Sequence, residues 1–191
     1  TVFEDEWVYT PEKVKAALRA VVGVRDAGLP ARKLAVGEIA PDQAAAFYDE
    51  HHMQGRASAR WHYGLWQDDV LRAAMSFAKP TRQSRHDVEL VRFATGGLTH
   101  AGAAGKLLAA FRRDHRPSSI VSFSDSRWFR GMMYKALGFR FDGEVRPDYT
   151  YTKNQRRYHK SGFRRRGIAA RHPEVYDEAK TEIEMMREAG Y

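Results

Sequence analysis

Ser119 to Phe139 reads SIVSFSDSRWFRGMMYKALGF, and its two halves follow different periods. The first half carries Ile120, Val121 and Phe123 in a pattern that predicts a buried strand. The second carries Met132, Met133, Ala136 and Leu137 at helical spacing, stopped by Gly138. Between them lie Ser124, Asp125, Ser126 and Arg127. Polar residues at the carboxyl end of a strand, just before a helix, sit where open α/β sheets place their chemistry.

Outward from this junction, the elements predict a supporting sheet. Thr10-Pro11-Glu12 opens a helix to about Val22, Lys33 to Ile39 reads as a strand, and Pro41-Asp42 opens a second helix ending near Glu50-His51-His52. Trp61 to Trp66 and Val70 to Phe77 form a hairpin across Asp68-Asp69, a basic connection follows over 80–85, and Val88 to Ala94 is a further strand. A glycine-rich turn from Gly96 leads into a helix from Ala103 to about Arg113, with Ala104, Leu107, Leu108 and Phe111 inward. Arg140 to Asp142 and Tyr149 to Thr152 read as the last strands, and Pro173 to Glu188 as an amphipathic helix on Val175, Ala179, Ile183 and Met186. The order predicts a mixed α/β (α+β) fold: residues 1–152 as one domain with a central sheet flanked by helices, and 153–191 as a basic arm plus C-terminal helix.

A chain of 191 residues suffices for one such domain with an appendage. No apolar run reaches the ~18 residues of a membrane span, so the expectation is a soluble protein of a cell's interior. The absence of cysteine excludes disulfides, thiolate nucleophiles and Cys-ligated zinc. A formal charge of +8 predicts an anionic partner, nucleic acid first. The charge concentrates between Lys153 and Arg171, where Arg156, Arg157, Lys160, Arg164, Arg165 and Arg166 alternate with aromatic residues and no acid intervenes. Such a mixture suits phosphates and exposed bases.

The strand ending at Thr95, the glycine-rich turn and the following helix make a candidate anion cradle, since helix-start N–H groups and the helix dipole converge there. A tight structural turn is the alternative. Neither a dinucleotide fingerprint nor a P-loop is matched. The turn resembles the pyrophosphate loop of GNAT acyltransferases at Gly102 and Ala104, with Thr99 where that pattern carries Gln or Arg. Thr99, Gly102, Ala103, Ala104 and Gly105 are the residues it implies for holding an acyl-CoA donor. Tyr134 looks like the tyrosine that serves as general acid in many members. A half-buried Tyr filling a helix–sheet gap is the alternative.

The segments GLWQDDVLRAAMSFAKP, ELVRFA, SFSDSRW, GMMYKALGF and PDYTYT, in that order, resemble the Mom family of bacteriophage DNA-modification proteins over roughly His51 to Thr152. These have a GNAT-like fold and modify adenine at N6, blocking restriction. The resemblance implies catalytic roles for Asp125, Tyr134, Arg92, Ser124 and His51. It also implies double-stranded DNA and a small-molecule donor as partners, and the cytoplasm of an infected bacterium as location. Arg156 to Ile168, and Glu182 to Tyr191, resemble the C-terminal part of phage proteins associated with homing endonucleases, whose pattern continues past the Gly-Tyr.

Adenine N6 is a weak nucleophile, so a group must take or orient its proton. Asp125 is the candidate acceptor, with Arg92 keeping it ionised or holding a carboxylate or phosphate of the donor. Asp125 as a helix cap paired with Arg92 is the structural alternative. A duplex base must be flipped to reach such a pocket, and Trp128, Trp61 and Tyr63 are candidates to stack on it. Iron has been proposed for the family, with His51 or His52, His62 and Asp125 the candidate ligands here. An acetyl-CoA-dependent N-acetyltransferase of a protein or small amine, and a non-catalytic DNA-binding module, are the rival readings.

Overall fold

The computed structural model describes residues 1–24, 26–80, 85–145 and 148–191. In chain order these form α1 (Glu4–Tyr9), α2 (Pro11–Val21), β1 (Ala35–Glu38), α3 (Pro41–His51), β2 (Trp61–Gln67), β3 (Val70–Ala78), β4 (Val88–Thr95) and α4 (Ala103–His115). There follow β5 (Ile120–Ser122), α5 (Met132–Ala136), β6 (Thr150–Lys153), β7 (Arg156–His159), α6 (Arg165–Arg171) and α7 (Glu182–Glu188). Two compact units divide the chain, one of Thr1 and Glu12–Arg140, the other of Val2–Pro11 and Phe141–Tyr191. The basic connection lies mostly outside the described residues, at 81–84.

The first unit has the expected mixed α/β architecture. Its five strands stand in the order β1-β2-β3-β4-β5. The first four pair antiparallel, while β4 and β5 run parallel because α4 carries the chain across between them. Asp68 and Asp69, with φ of 47° and 62°, make the two-residue turn that closes β2 onto β3. Under one face lies α4, whose Leu107 and Phe111 are 0% exposed. Phe111 stacks on Phe77 of β3 at 3.7 Å, and each such buried ring contributes about 2–3 kcal/mol. On the other face, α3 packs Ala44, Phe47 and Tyr48 against Ala74 and Ala94. Lys106, next to the glycine-rich turn, donates to the carbonyls of Ala31 (3.0 Å) and Leu34, which places its charge on a structural duty.

The second unit departs from the sequence reading. Thr150–Lys153 is a strand, but it pairs with β7 in a separate two-stranded sheet rather than joining the central one. The division read at 152/153 falls inside β6, and the units separate instead at 140/141. Arg140 to Asp142 forms no strand. The expected 173–188 helix is only α7, because Thr181 and Glu184 cap it late and the Asp177 carboxylate accepts the Ala179 N–H at 2.8 Å in a local turn. Met185 and Met186 are buried there, with Tyr151, Phe163 and Ile168, while Ile183 is 47% exposed.

Candidate active site

Two irregularities of β4 set up the site. Ser76 pairs with Arg92 but Phe77 pairs with Leu90, so Val91 is an extra residue in β4, a β-bulge. Bulges re-aim side chains and often adjoin active sites. On its other edge β4 pairs with β5 only from Val88↔Ile120 to Leu90↔Ser122, and β4 continues alone on that side to Thr95. The sheet therefore opens between β4 and β5 just where the bulge lies.

Tyr134 and Ser122 meet at that opening. The Ser122 hydroxyl is 2.8 Å from the Leu90 carbonyl and 2.9 Å from the Tyr134 hydroxyl. Ser122 has one hydrogen and both the Leu90 carbonyl and the Tyr134 oxygen are placed to accept it. When it goes to Leu90, which can only accept, the Tyr134 hydroxyl is free to donate to Ser122. Arg92, half-buried, donates from Nε to the Gly55 carbonyl (3.1 Å) and from Nη1 to the Val91 carbonyl (2.9 Å). Burial lowers its pKa from the ordinary arginine value, against the opposing influence of Tyr48, Glu89 and Tyr134. Beside it, Tyr48, Ser76 and His62 form a buried chain, with Oη to Oγ and Oγ to Nδ1 both 2.8 Å. Burial pushes the Tyr48 phenol up, and Ser76 and Arg92 offset part of this.

The turn after α3 completes this wall. The His52 carbonyl accepts from the Gly55 N–H (2.9 Å) and from Lys13 Nζ (3.1 Å). His52 Nδ1 accepts from the Gln54 N–H at 3.1 Å, so the neutral ring carries its hydrogen on Nε2. Burial first, then the charges of Arg92 and Lys13, push its pKa down to about 4.

Of the residues expected from sequence, Arg92 and Tyr134 thus border the opening. Asp125 does not take Arg92 as its partner. Its carboxylate forks onto Arg127 (Nη2 to Oδ2 2.6 Å), accepts the Arg127 N–H, and its carbonyl accepts from Trp128 and Phe129. This is a side-chain-anchored turn, close to the structural alternative but with Arg127 in Arg92's place. Ser124 lies exposed and donates to the Phe129 carbonyl at 3.3 Å. His51 packs its ring against Phe47 at 4.6 Å and stands 3.6 Å from Glu50. Sequence reasoning passed over Ser122, Tyr48 and Ser76, which look like ordinary strand and helix residues. It named His51 for catalysis while leaving either His51 or His52 as the match to the resemblance.

The iron expectation is not supported. His62 Nδ1 is held by Ser76 and His52 Nδ1 by Gln54, and no cluster of three or more His, Asp or Glu suited to a metal exists among the described residues. Two of the three stacking candidates are covered. Trp128 is only 9% exposed, packed on Val14 and Ala17 of α2, and Tyr63 is 1% exposed with its hydroxyl on Asp114.

Around the glycine-rich turn, Thr99 forms a bridge with Ala27, donating its N–H to Asp26 (2.8 Å) and accepting from Gly28 (3.0 Å). Only its side chain remains for a ligand. Ala103 donates its N–H to the His100 carbonyl at 3.0 Å. Gly102 adopts φ +81° at the cap of α4, and Ala104 and Gly105 in the first turn are small and half-exposed. Their amides are those that helix geometry leaves open, whereas the main chain of Thr99 and the Ala103 N–H are already engaged.

No protein-family description and no curated protein matches the chain. Solved structures similar to it include an aminoglycoside acetyltransferase from an uncultured soil metagenomic sample in complex with trehalose, 10% identical with a TM-score of 0.48, covering 64% of this chain and 98% of that one. The complex of such an acetyltransferase with sisomicin gives 10%, 0.47, 64% and 98%. An integron cassette protein from the mobile metagenome of V. cholerae gives 12%, 0.42, 64% and 94%.

The basic segment of the second unit is folded and largely paired. Arg157 holds Asp5 at 2.7 Å and Glu6 at 2.9 Å. Lys160 holds Asp148 at 2.6 Å and Arg164 holds Glu182 at 3.3 Å. Arg165 donates to the carbonyls of Glu178 and Lys180, and Arg156 lies over the Tyr9 ring at 4.3 Å. Arg166 is exposed.

Proposed function

We propose that this chain is a GNAT-like transferase that moves an acyl group from a coenzyme A thioester to an amine. The observation that carries the proposal is the parallel β4–β5 pair that separates after Leu90↔Ser122, with a bulge at Val91 and the Tyr134 phenol at the opening. Gly102 to Gly105 would hold the donor's diphosphate, and the thioester would reach back along β4 to the bulge. The amine nitrogen attacks the thioester carbon, a C–N bond forms and the C–S bond breaks. Tyr134 turns its proton from Ser122 to the departing sulfur, and the proton released by the new ammonium returns to the phenolate. The books balance to an amide and a free thiol.

Saturable binding of coenzyme A by calorimetry, with thiol release from acetyl-CoA that depends on an added amine, is the expected result. Absence of coenzyme A binding would overturn it. A second reading keeps the site and takes adenine N6 of DNA as the amine. The net charge of +8 and the resemblance of the segments around Arg92, Asp125 and Tyr134 favour it. Mass spectrometry of nucleosides from plasmid DNA co-expressed with the protein distinguishes the two. A new adenine-derived mass that disappears in Tyr134→Phe supports DNA as acceptor, and unmodified DNA alongside acetylated small amines removes it.

A further inference from the structure

The donors of Arg92 are only partly used. A guanidinium has five N–H groups, and Arg92 directs one to the Gly55 carbonyl and one to the Val91 carbonyl. Neither partner is charged, and the Glu89 carboxylate, which favours the charged form, does not outweigh burial, so this half-buried cation is held in place by main chain and only partly offset. Its fork is also pinned at two points, by the bulge and by the turn after α3. That turn brings in a second cation, since Lys13 donates to the His52 carbonyl at 3.1 Å. It also brings a neutral donor, because the Gln54 N–H occupies His52 Nδ1 and leaves the ring hydrogen on Nε2. Low-dielectric surroundings make such partly offset charge costly unless a further anion joins it.

We infer that Arg92 and His52, with Lys13 behind them, form a pocket for an oxyanion, a carboxylate or a phosphate carried by the small substrate that enters the β4–β5 opening. The planar fork of arginine suits two oxygens of either group. Lysine at this position would keep the charge but lose the fork. The pocket deepens the transferase reading, on which it rests for what the anion belongs to but not for the binding itself. It selects an anionic acceptor or acyl group over a neutral or cationic one.

The test titrates sodium acetate and, separately, inorganic phosphate into the full chain. The readouts are calorimetry and the Nε–H resonance of Arg92, against chloride at constant ionic strength. Saturable binding of one or both is expected, with the Arg92 resonance shifting, and the anion that binds names the source. Arg92→Lys is expected to weaken it about tenfold or more, and His52→Phe to weaken it less. Thermal melts of both variants check that the fold survives, and the resonance shift in the unmutated chain stands whether or not they fold. No saturable binding of either anion, or equal affinity in a folded Arg92→Lys variant, overturns the pocket. Coenzyme A binding is measured in parallel. Its failure with oxyanion binding intact would sink the transferase reading and leave the pocket, while the reverse would sink only the pocket.

Discussion

Arg92 in the first unit and Arg157 in the second are both half-buried arginines on strands, and the chain uses them in opposite ways. Arg157 is neutralised: two carboxylates, Asp5 and Glu6, close on it, with side chains 17% and 11% exposed. Burial alone would raise the Asp5 carboxyl, and Arg157's hydrogen bonds and charge hold it below its ordinary value. Arg92 has main-chain carbonyls for its hydrogen-bond partners, and among the described residues no carboxylate closes on it. A cation closed by carboxylates holds a fold together, whereas one held by carbonyls keeps its charge for a ligand. Abundance of charge in a segment therefore says little about where charge is available.

The largest effect that would sharpen the contrast lies at the opening. Tyr134→Phe is expected to lower acyl-transfer turnover by about 10²-fold or more, the range of general acid catalysis, with coenzyme A affinity unchanged. An unaltered rate would remove the phenol from the chemistry. Arg157→Ala tests the other region. Stranding two mostly buried carboxylates is expected to cost about 3–5 kcal/mol, read by urea unfolding. Arg166→Ala, at an exposed position, should leave stability within about 0.5 kcal/mol. If the chain binds DNA, it should also flatten the salt dependence by about one unit of slope. Equal destabilisation by the two variants would erase the distinction between paired and available charge.

His52 offers a smaller, pH-dependent effect. Its pKa in the fold lies near 4, below the ordinary 6.5, so the unfolded chain binds the proton more readily. Stability should fall as pH drops from about 6.5 towards 4 and level off below, by about 1–3 kcal/mol. His52→Phe should flatten that window, and an unchanged pH profile would show that the ring titrates normally. Smallest of all, Ser122→Ala removes the acceptor that holds the Tyr134 proton and is expected to lower turnover several-fold. The stability cost should be about 1 kcal/mol. A loss as large as that of Tyr134→Phe would make Ser122 part of the proton transfer rather than an orienting group.

Much of the scaffold was legible in the residues. Pro11 and Pro41 at helix starts, the Asp68-Asp69 turn and the spacing of Leu107, Leu108 and Phe111 each report on neighbours within a few positions. The strands on either side of the opening were legible for the same reason, although Phe123, read as part of a buried strand, is 54% exposed. Arg92 and Tyr134 were singled out through the resemblance rather than by local pattern. Ser122 was not, because a serine in a strand shows its value only when a carbonyl 32 residues away takes its hydrogen. Trp128 read as an exposed stacking surface until α2 covered it, and the acid-free run of cations read as unpaired because its acids lie elsewhere in the chain.

By itself the amino-acid sequence determined the local elements, the excess of positive charge and the exclusion of cysteine chemistry. These are properties of short windows or of composition, decided by periodicity, capping and turn preference. Only the tertiary structure decided the bulge at Val91, the parting of β4 from β5, and which cations are closed. Each depends on register or on partners far apart, 152 residues in the case of Arg157 and Asp5 and 37 in that of Arg92 and Gly55. No local pattern encodes such pairings, because they exist only once the chain has closed on itself.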